Sequence, residues 1–145
     1  MTTKVILLIE DDPDDAELAV RALEMGTVKS TVVRAGDGVE ALDYLFGTGA
    51  HAAAPGVMPD VVLLDLKLPR VDGLEVLRRV RAHERTKYLP VVIMTSSLRE
   101  QDIEAGYALG ANSYVRKSIQ FGEFVEMAGQ LCAYWLTVNQ PVPRS

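Results

Sequence analysis

The chain has 145 residues, of which 48% are hydrophobic and 24% are charged, values typical of one folded domain and not of a disordered segment. A net charge of −5 argues against a nucleic-acid-binding surface, which needs a basic face, and the longest early apolar run is too short for a signal peptide or a membrane span. The single cysteine excludes a disulfide framework and a thiolate metal cluster, so we expect a cytoplasmic protein.

Five short runs of aliphatic and β-branched residues recur along the chain, and each predicts a strand. The runs are apolar almost throughout instead of alternating with polar residues, which indicates a parallel sheet covered on both faces. The predicted strands are residues 4–9, 30–34, 60–64, 90–94 and 113–116.

The first helix follows the first strand. Asp12 is a good N-cap and Pro13 suits the first helical position, so a helix should run to about Met25. Asp14 and Asp15 fall in its first turn, where acidic side chains oppose the helix dipole. We therefore interpret these two acids as helix-terminus residues and not as part of a binding site.

Four more helical patterns come after the next four strands. Asp37 and Glu40 resemble a capping box, and the apolar spacing that follows is helical, which argues against a hairpin at this Asp-Gly dipeptide. Asp72 is a cap candidate for "GLEVLRRVRAHE"; "EQDIEAGYALG" and "FGEFVEMAGQLCAYWLTV" are the last two patterns. Five strand–helix units joined by right-handed crossovers predict an α/β fold, a doubly wound parallel sheet in the order 2-1-3-4-5, as one domain over residues 1–145.

Polar residues follow four of the predicted strands. They are Glu10 and Asp11 after the first strand, Asp65 after the third, Thr95 after the fourth and Lys117 after the fifth. Sites of open α/β sheets lie at the carboxyl ends of the strands, so these side chains should share one pocket. Clustered carboxylates need a cation, and Mg²⁺ fits an oxygen-rich site best. Asp65 could then act as a nucleophile towards phosphorus, with Thr95 and Lys117 holding phosphoryl oxygens.

The motifs "LLIEDD", "LLDLKLPRVDG", "MTSS" and "GANSYVRK" resemble the response-regulator receiver domain of two-component signalling, which has a flavodoxin-like fold. The resemblance implies that Asp65 accepts a phosphoryl group from the phosphohistidine of a histidine kinase. It also implies a Mg²⁺ site made by Glu10, Asp11, Asp65 and the backbone carbonyl of Lys67, with Asp11 the more direct ligand. A protein of this kind is a signalling phosphoprotein that assists its own phosphotransfer and dephosphorylation, and not an enzyme with a separate substrate.

The same resemblance implies a switch. Thr95 and Lys117 match the family's switch hydroxyl and phosphate-binding lysine, and Tyr114 matches the switch aromatic that turns inward when the threonine moves. The face made by the fourth helix, fifth strand and fifth helix should change on phosphorylation. One departure is Ser118, since the family usually has a proline there, joined by a cis bond; the path of the chain after Lys117 therefore stays open.

A narrower resemblance concerns the long loop before "PDVVLLDL", the "TSS" and the tail "YWLTVNQPVP". These features resemble single-domain regulators paired with bacterial and cyanobacterial phytochromes, which implies a phytochrome-type kinase, an unidentified downstream protein and no output domain. A phosphate sink or relay for another kinase is the alternative. A magnesium-dependent phosphatase of the haloacid-dehalogenase type fits less well, because residues 12–16 fail its D-x-D-x-[TV] pattern; an FMN carrier would need a Ser/Thr/Gly phosphate loop in place of these acids.

The last helical pattern carries two apolar stripes. The first, which should face the sheet, comprises Phe121, Phe124, Val125, Ala128, Cys132 and Trp135. The second comprises Met127, Leu131, Tyr134 and Val138. A surface helix needs only one stripe, so the second predicts a homodimer through the fourth helix, fifth strand and fifth helix. The alternative is that the C-terminal tail covers the second stripe.

Overall fold

A computed structural model of the protein describes residues 3–52, 56–117 and 120–143. Within these ranges five parallel strands form one sheet in the order β2-β1-β3-β4-β5, as predicted. The strands are β1 (Lys4–Ile9), β2 (Ser30–Ala35), β3 (Val61–Leu64), β4 (Val91–Thr95) and β5 (Ser113–Arg116). The predicted α/β fold of the flavodoxin-like type is therefore confirmed, and the predicted strand ends differ from these by one residue at most.

Five α-helices lie in the same described ranges. They are α1 (Pro13–Glu24), α2 (Gly38–Phe46), α3 (Gly73–Ala82), α4 (Glu100–Ala108) and α5 (Phe121–Ala133). The caps predicted for the first three are present: Asp12, Asp37 and Asp72 each accept a hydrogen bond from a backbone N–H of the first turn. None of the helices in the described residues has the length and apolar character that a membrane span requires.

The two faces of the sheet are buried under different helices. Successive strand residues point to opposite faces, so Leu7 and Ile9 pack under α2 and α3, whereas Ile6 and Leu8 pack under α1 and α5. From Ile6 onwards β1 is buried on both faces, as are β3 and β4, and exposed polar side chains follow where these strands end.

The end of α5 differs from the prediction of one continuous helix. The α-helix stops at Ala133, and Tyr134–Val138 forms a π-helical turn closed by a hydrogen bond from the Asn139 N–H to the Tyr134 carbonyl (2.7 Å). Leu136, which belongs to neither predicted stripe, is buried; it lies four residues after Cys132 and therefore on the same side of the helix.

The two stripes are only partly as predicted. Phe124, Ala128 and Cys132 of the first are buried against the sheet, but Phe121 at its start is exposed because it lies at the helix N-terminus. In the second, Met127 and Leu131 pack against the core beside α1 and are half-buried. The prediction of a continuous exposed strip is therefore wrong for these two residues.

Tyr134 and Val138, the rest of the second stripe, are 48% and 63% exposed. The tail does not extend over them in the described residues. Instead, residues 141–143 line a cavity of about 360 Å³ together with Met58, Tyr88 and Pro90, beside the loop between α3 and β4.

Arg81 joins three segments on the side of the sheet covered by α3. Its guanidinium donates to the carbonyls of Leu89 (2.7 Å), Lys87 (3.1 Å) and Gly110 (2.9 Å) and to Asn112 Oδ1 (2.9 Å). Nothing in the sequence around Arg81 indicates these partners. One side chain thus holds the loops that precede β4 and β5.

We predict that Arg81→Met lowers the free energy of unfolding by about 2–4 kcal/mol, because it leaves several half-buried carbonyls without a donor. Urea unfolding measures the change. Arg79→Met is the matched control, since Arg79 lies on the same helix and, within the described residues, pairs with Glu75 at the surface, where ion pairs contribute little to stability. Equal effects of the two substitutions would contradict the structural role of Arg81.

Candidate functional site

The carboxyl ends of β1, β3, β4 and β5 meet at one edge of the sheet. Ile9 is paired with Leu64, so Glu10 and Asp65 leave adjacent strands at the same level. The Lys117 N–H donates to the Thr95 carbonyl (2.8 Å), which continues the β4–β5 ladder to the same level. The sheet topology therefore brings together the strand-end residues that the sequence singled out.

The ammonium of Lys117 lies at the centre of this pocket. It donates to Glu10 Oε1, to Asp65 Oδ2 (3.1 Å) and, at longer range, to Asp15 Oδ2 (3.4 Å). Burial lowers the pKa of Lys117, but the hydrogen bond to Glu10 and the charges of Asp65 and Glu10 together raise it above its ordinary value. Lys117 therefore stays charged at neutral pH and partly neutralises the acids around it.

The contact between Asp15 and Lys117 was not predicted from the sequence. The position of Asp15 in the first turn of α1 explains it as a helix-terminus acid, and that role needs no other partner. The turn also directs its carboxylate towards Lys117, which comes from the far end of the chain. No local pattern signals a pair separated by more than 100 residues.

Glu10 is the buried acid of the pocket, with 3% of its surface exposed. Its Oε2 accepts the Asp12 N–H (3.2 Å), and its Oε1 accepts from Lys117. Burial is the main cause that raises the pKa of Glu10; the Lys117 hydrogen bond lowers it and the Asp65 charge raises it further. Both oxygens of Glu10 thus already have protein partners.

Three carboxylates are close enough to share a cation. One oxygen each from Glu10, Asp11 and Asp65 lie within 4.8 Å of one another, and the Asp11 side chain is exposed. An all-oxygen donor set of this charge fits Mg²⁺, which takes one or two carboxylates and completes its shell with water and phosphate oxygens. Lys67, whose carbonyl is the remaining predicted ligand, lies in the same turn and donates its N–H to Asp65 Oδ1 (3.3 Å).

The turn after Asp65 depends on Gly73. A Cβ at Gly73 would lie 2.3 Å from the Asp65 carbonyl oxygen and 2.7 Å from Leu66 Cα, and the Gly73 N–H donates to the Leu66 carbonyl (2.9 Å). The start of α3 can pack against the chain beside Asp65 only because this side chain is missing. The sequence had placed Gly73 after a helix cap, without this contact.

Thr95 and Tyr114 meet at the loop after β4. Thr95 is 1% exposed, and its hydroxyl oxygen lies 3.4 Å from the Ser97 backbone nitrogen, which donates to it. The Tyr114 hydroxyl donates to the Ser97 carbonyl (2.8 Å), and Ser97 Oγ donates to Asp102 Oδ2 (2.6 Å) in α4. Burial raises the pKa of Tyr114. The two predicted switch residues are therefore linked through Ser97, and Ser97 is linked to α4.

The prediction about the bond after Lys117 concerns Ser118, which lies outside the described residues. The remaining predicted site residues are all described, and the sheet edge brings Glu10, Asp11, Asp65 and Lys117 into one cluster, with Thr95 and Tyr114 on the neighbouring loop.

Comparison with known protein families shows which family the chain belongs to. Residues 6–129 match the response regulator receiver domain. The chain belongs to the response-regulator receiver family. It is thus a component of two-component signalling, and its acidic cluster lies where the receiver's phosphorylation site is expected.

Other response regulators are similar to this chain over nearly its whole length. Response regulator Rcp1 of Synechocystis sp. is 36% identical over 139 residues, covering 95% of this chain and 93% of Rcp1. A crystal structure of the Mn(2+)-bound form of Rcp1 superposes with a TM-score of 0.87 at 33% identity, covering 97% of this chain and 99% of that one.

Two further solved structures extend this group. The phosphorylated cyanobacterial phytochrome response regulator RcpA has a TM-score of 0.90 at 36% identity, covering 98% of this receiver and 100% of RcpA. The bacteriophytochrome response regulator AtBRR is 46% identical with a TM-score of 0.77, and the match covers 100% of each chain. The predicted resemblance of this receiver to phytochrome-paired regulators is therefore confirmed.

We predict that Mg²⁺ stabilises the receiver through Asp11. At a concentration ten times the dissociation constant, a ligand that binds only the folded state adds about 1.4 kcal/mol to the free energy of unfolding. Asp11→Asn should lose most of this gain, because it removes an exposed carboxylate from the cluster. Thermal unfolding with and without Mg²⁺ measures it.

Asp14→Asn is the control for that experiment, since it makes the same charge change on the same segment but outside the cluster. It should keep the full gain. A Mg²⁺ effect that is the same in both variants would contradict a site centred on Asp11.

Proposed function

We propose that this receiver accepts a phosphoryl group on Asp65 from the phosphohistidine of a phytochrome-type histidine kinase in a Mg²⁺-dependent reaction. The observation that carries the proposal is the geometry of Asp65. Its Oδ2 lies 3.1 Å from the Lys117 ammonium, in a cluster with Glu10 and Asp11 that can hold a divalent cation. A nucleophilic carboxylate beside two sources of positive charge is suited to attack phosphorus.

The transfer exchanges one bond for another. An Asp65 oxygen forms a bond to phosphorus while the P–N bond of the phosphohistidine breaks, and the imidazole leaves with the electron pair. Lys117, now paired with Asp65 Oδ2, is placed to follow the charge onto the phosphoryl oxygens. A Mg²⁺ held by Glu10, Asp11, Asp65 and the Lys67 carbonyl would supply further charge neutralisation.

The pairing with a phytochrome-type kinase is supported by the relatives above, whose names connect them with cyanobacterial and bacterial phytochromes. The Mn²⁺-bound form of Rcp1 supports a divalent-cation requirement. Service as a phosphate sink or relay for a different histidine kinase is the alternative, and the choice of kinase in the experiment decides between them.

We predict phosphotransfer to the receiver from an autophosphorylated phytochrome kinase, faster than from an unrelated histidine kinase and dependent on Mg²⁺. The label should be alkali-labile, because an acyl phosphate is a mixed anhydride, which hydroxide cleaves readily. Asp65→Asn should abolish labelling, since an amide does not replace the carboxylate nucleophile. Radiolabelled phosphotransfer followed on gels measures the kinase preference, the Mg²⁺ dependence, the alkali lability and the effect of Asp65→Asn.

Asp60→Asn is a control for the loss of an acid near β3, since the Asp60 carboxylate accepts the Val5 N–H at the opposite end of the sheet. It should be labelled at the wild-type rate. Full labelling of Asp65→Asn would contradict the proposal, and equal rates from both kinases would favour the sink or relay alternative.

We further propose that phosphorylation shifts a pre-existing equilibrium of the loop after β4. Movement of Thr95 towards the phosphoryl group would break its contact with the Ser97 N–H, and Tyr114 would occupy the space that Thr95 leaves. Because Ser97 also bonds to Asp102, the change should reach α4. The face made by α4, β5 and α5 is then the surface that reports the phosphorylated state to a downstream protein.

We predict that beryllofluoride, a phosphoryl mimic, changes amide exchange on the face of α4, β5 and α5 and leaves α2 unchanged. Tyr114→Phe should raise amide exchange in the loop after β4 even without beryllofluoride, because it removes the hydroxyl that donates to the Ser97 carbonyl. Hydrogen exchange followed by mass spectrometry measures both. An unchanged α4 would count against the proposed route.

We also propose a homodimer through the α4, β5 and α5 face. β5 is an edge strand, and exposed apolar side chains lie on the helices on both sides of it: Tyr107 on α4, and Tyr134 and Val138 at the end of α5. Met127 and Leu131 are half-buried in the core, so their exposed parts would only border the contact. A pairing about a two-fold axis would cover such a patch.

We predict a dimer mass by light scattering at micromolar concentration and a monomer mass for Val138→Glu, which places a charge in the contact. Tyr88→Glu is the control, because Tyr88 lies in the α3–β4 loop and is as exposed as Val138; this variant should remain dimeric. A monomeric wild-type chain, with and without beryllofluoride, would refute the dimer.

A further inference from the structure

Arg34 connects the edge strand β2 to the acidic segment that follows β1. Its Nε donates to the Glu10 carbonyl (3.1 Å), and its Nη2 donates to the Asp11 carbonyl (3.1 Å). Arg34 is paired with Leu8 in the sheet, and the Glu10 N–H donates to the Ala35 carbonyl (3.0 Å). The guanidinium therefore begins its contacts where the ladder between β1 and β2 ends.

The backbone of the acidic segment is held from both sides, and Arg34 holds its middle. On one side the ladder ends at the Glu10 N–H. On the other, Asp12 caps α1, and its carbonyl accepts the Ala16 N–H (2.9 Å). The peptide of Asp11 lies between these two fixed points, and its carbonyl is one of the two that Arg34 binds.

We propose that Arg34 is a positioning residue for the metal site, which fixes the Asp11 peptide so that the Asp11 carboxylate points into the cluster with Glu10 and Asp65. A guanidinium suits this task, because its planar fork binds two acceptors in a fixed geometry that an ammonium cannot reproduce. The inference rests on the proposed function, since it concerns the same Mg²⁺ site.

A positioning role and a purely electrostatic role of Arg34 predict opposite changes in Mg²⁺ affinity when Arg34 is removed. Arg34 carries a positive charge beside a site for a cation, so its charge alone would weaken Mg²⁺ binding, and removal of that charge would tighten it. If Arg34 acts by holding the Asp11 peptide, its removal weakens binding, because the ligand is no longer preorganised. Loss of groups that orient metal ligands typically weakens metal affinity about 10-fold or more.

The experiment is isothermal titration of the full-length protein with Mg²⁺. Arg34→Met should bind Mg²⁺ about tenfold more weakly than wild type, and Arg34→Lys should recover only part of this loss. Arg70→Met is the control: it also removes an arginine, one that pairs with Asp37 at the surface (3.2 Å), and it should bind at least as tightly as wild type.

A second readout needs no metal. In the metal-free protein, exchange of the Asp11 and Asp12 amides should be faster in Arg34→Met and unchanged in Arg70→Met. Unaltered exchange together with equal or tighter Mg²⁺ binding by Arg34→Met would overturn the proposal. Full recovery by Arg34→Lys would also overturn it, since the fixed two-acceptor geometry of the guanidinium would then not be required.

Phosphorylation separates this proposal from the one on which it rests. At saturating Mg²⁺, Arg34→Met should accept phosphoryl groups close to the wild-type rate, because its defect is in affinity. A wild-type chain that binds Mg²⁺ but is never phosphorylated would overturn the proposed function and leave the Arg34 proposal to be decided by the affinities. A wild-type chain that binds no Mg²⁺ would overturn both.

Discussion

The site depends on one arrangement of charges, in which the Lys117 ammonium lies among the carboxylates of Glu10, Asp65 and Asp15. Acids at this spacing would otherwise repel one another, and one of them would take up a proton. Lys117 offsets part of this repulsion at the end of a buried sheet. The price is that Glu10 and Lys117 are both removed from water, which is tolerable because each satisfies the other.

This arrangement also explains why the pocket can still accept a cation and a phosphoryl group. Glu10 uses its two oxygens on Lys117 and the Asp12 N–H, so it fixes the geometry of the pocket. Asp11 is exposed at the rim, and Asp65 is held by Lys117 on one oxygen. Negative charge therefore exceeds the positive charge of the one lysine, and the excess lies on the side open to solvent.

Much of this could be predicted from the sequence because it depends on position along strands. Continuous apolar runs gave the parallel sheet, and each polar residue that ended a run proved to lie at the same edge. The caps at Asp12 and Asp72 were equally local signals. The same positions indicated a Mg²⁺ site with Asp65 as the nucleophile, whereas the switch roles of Thr95 and Tyr114 came from the family resemblance.

The parts that could not be predicted involve long side chains or a change of helical period. Arg34 and Arg81 bind backbone carbonyls of distant segments, and such acceptors leave no mark in the sequence. The π-helical turn after Ala133 is a change of period that the spacing does not indicate. Leu136, four residues after Cys132, is buried there although neither predicted stripe includes it. The dimer proposal consequently concerns a smaller surface than the two stripes suggested.

The role of Lys117 as the charge that stabilises the ionised Glu10 carboxylate is tested most directly by titration of the side-chain carboxyl carbons by NMR, in metal-free wild type and in Lys117→Met. In wild type the Lys117 hydrogen bond lowers the pKa of Glu10 and so opposes the effect of burial. Lys117→Met should therefore raise the apparent pKa of Glu10 well above that of wild type. Apparent pKa values that are the same in both proteins would contradict the account.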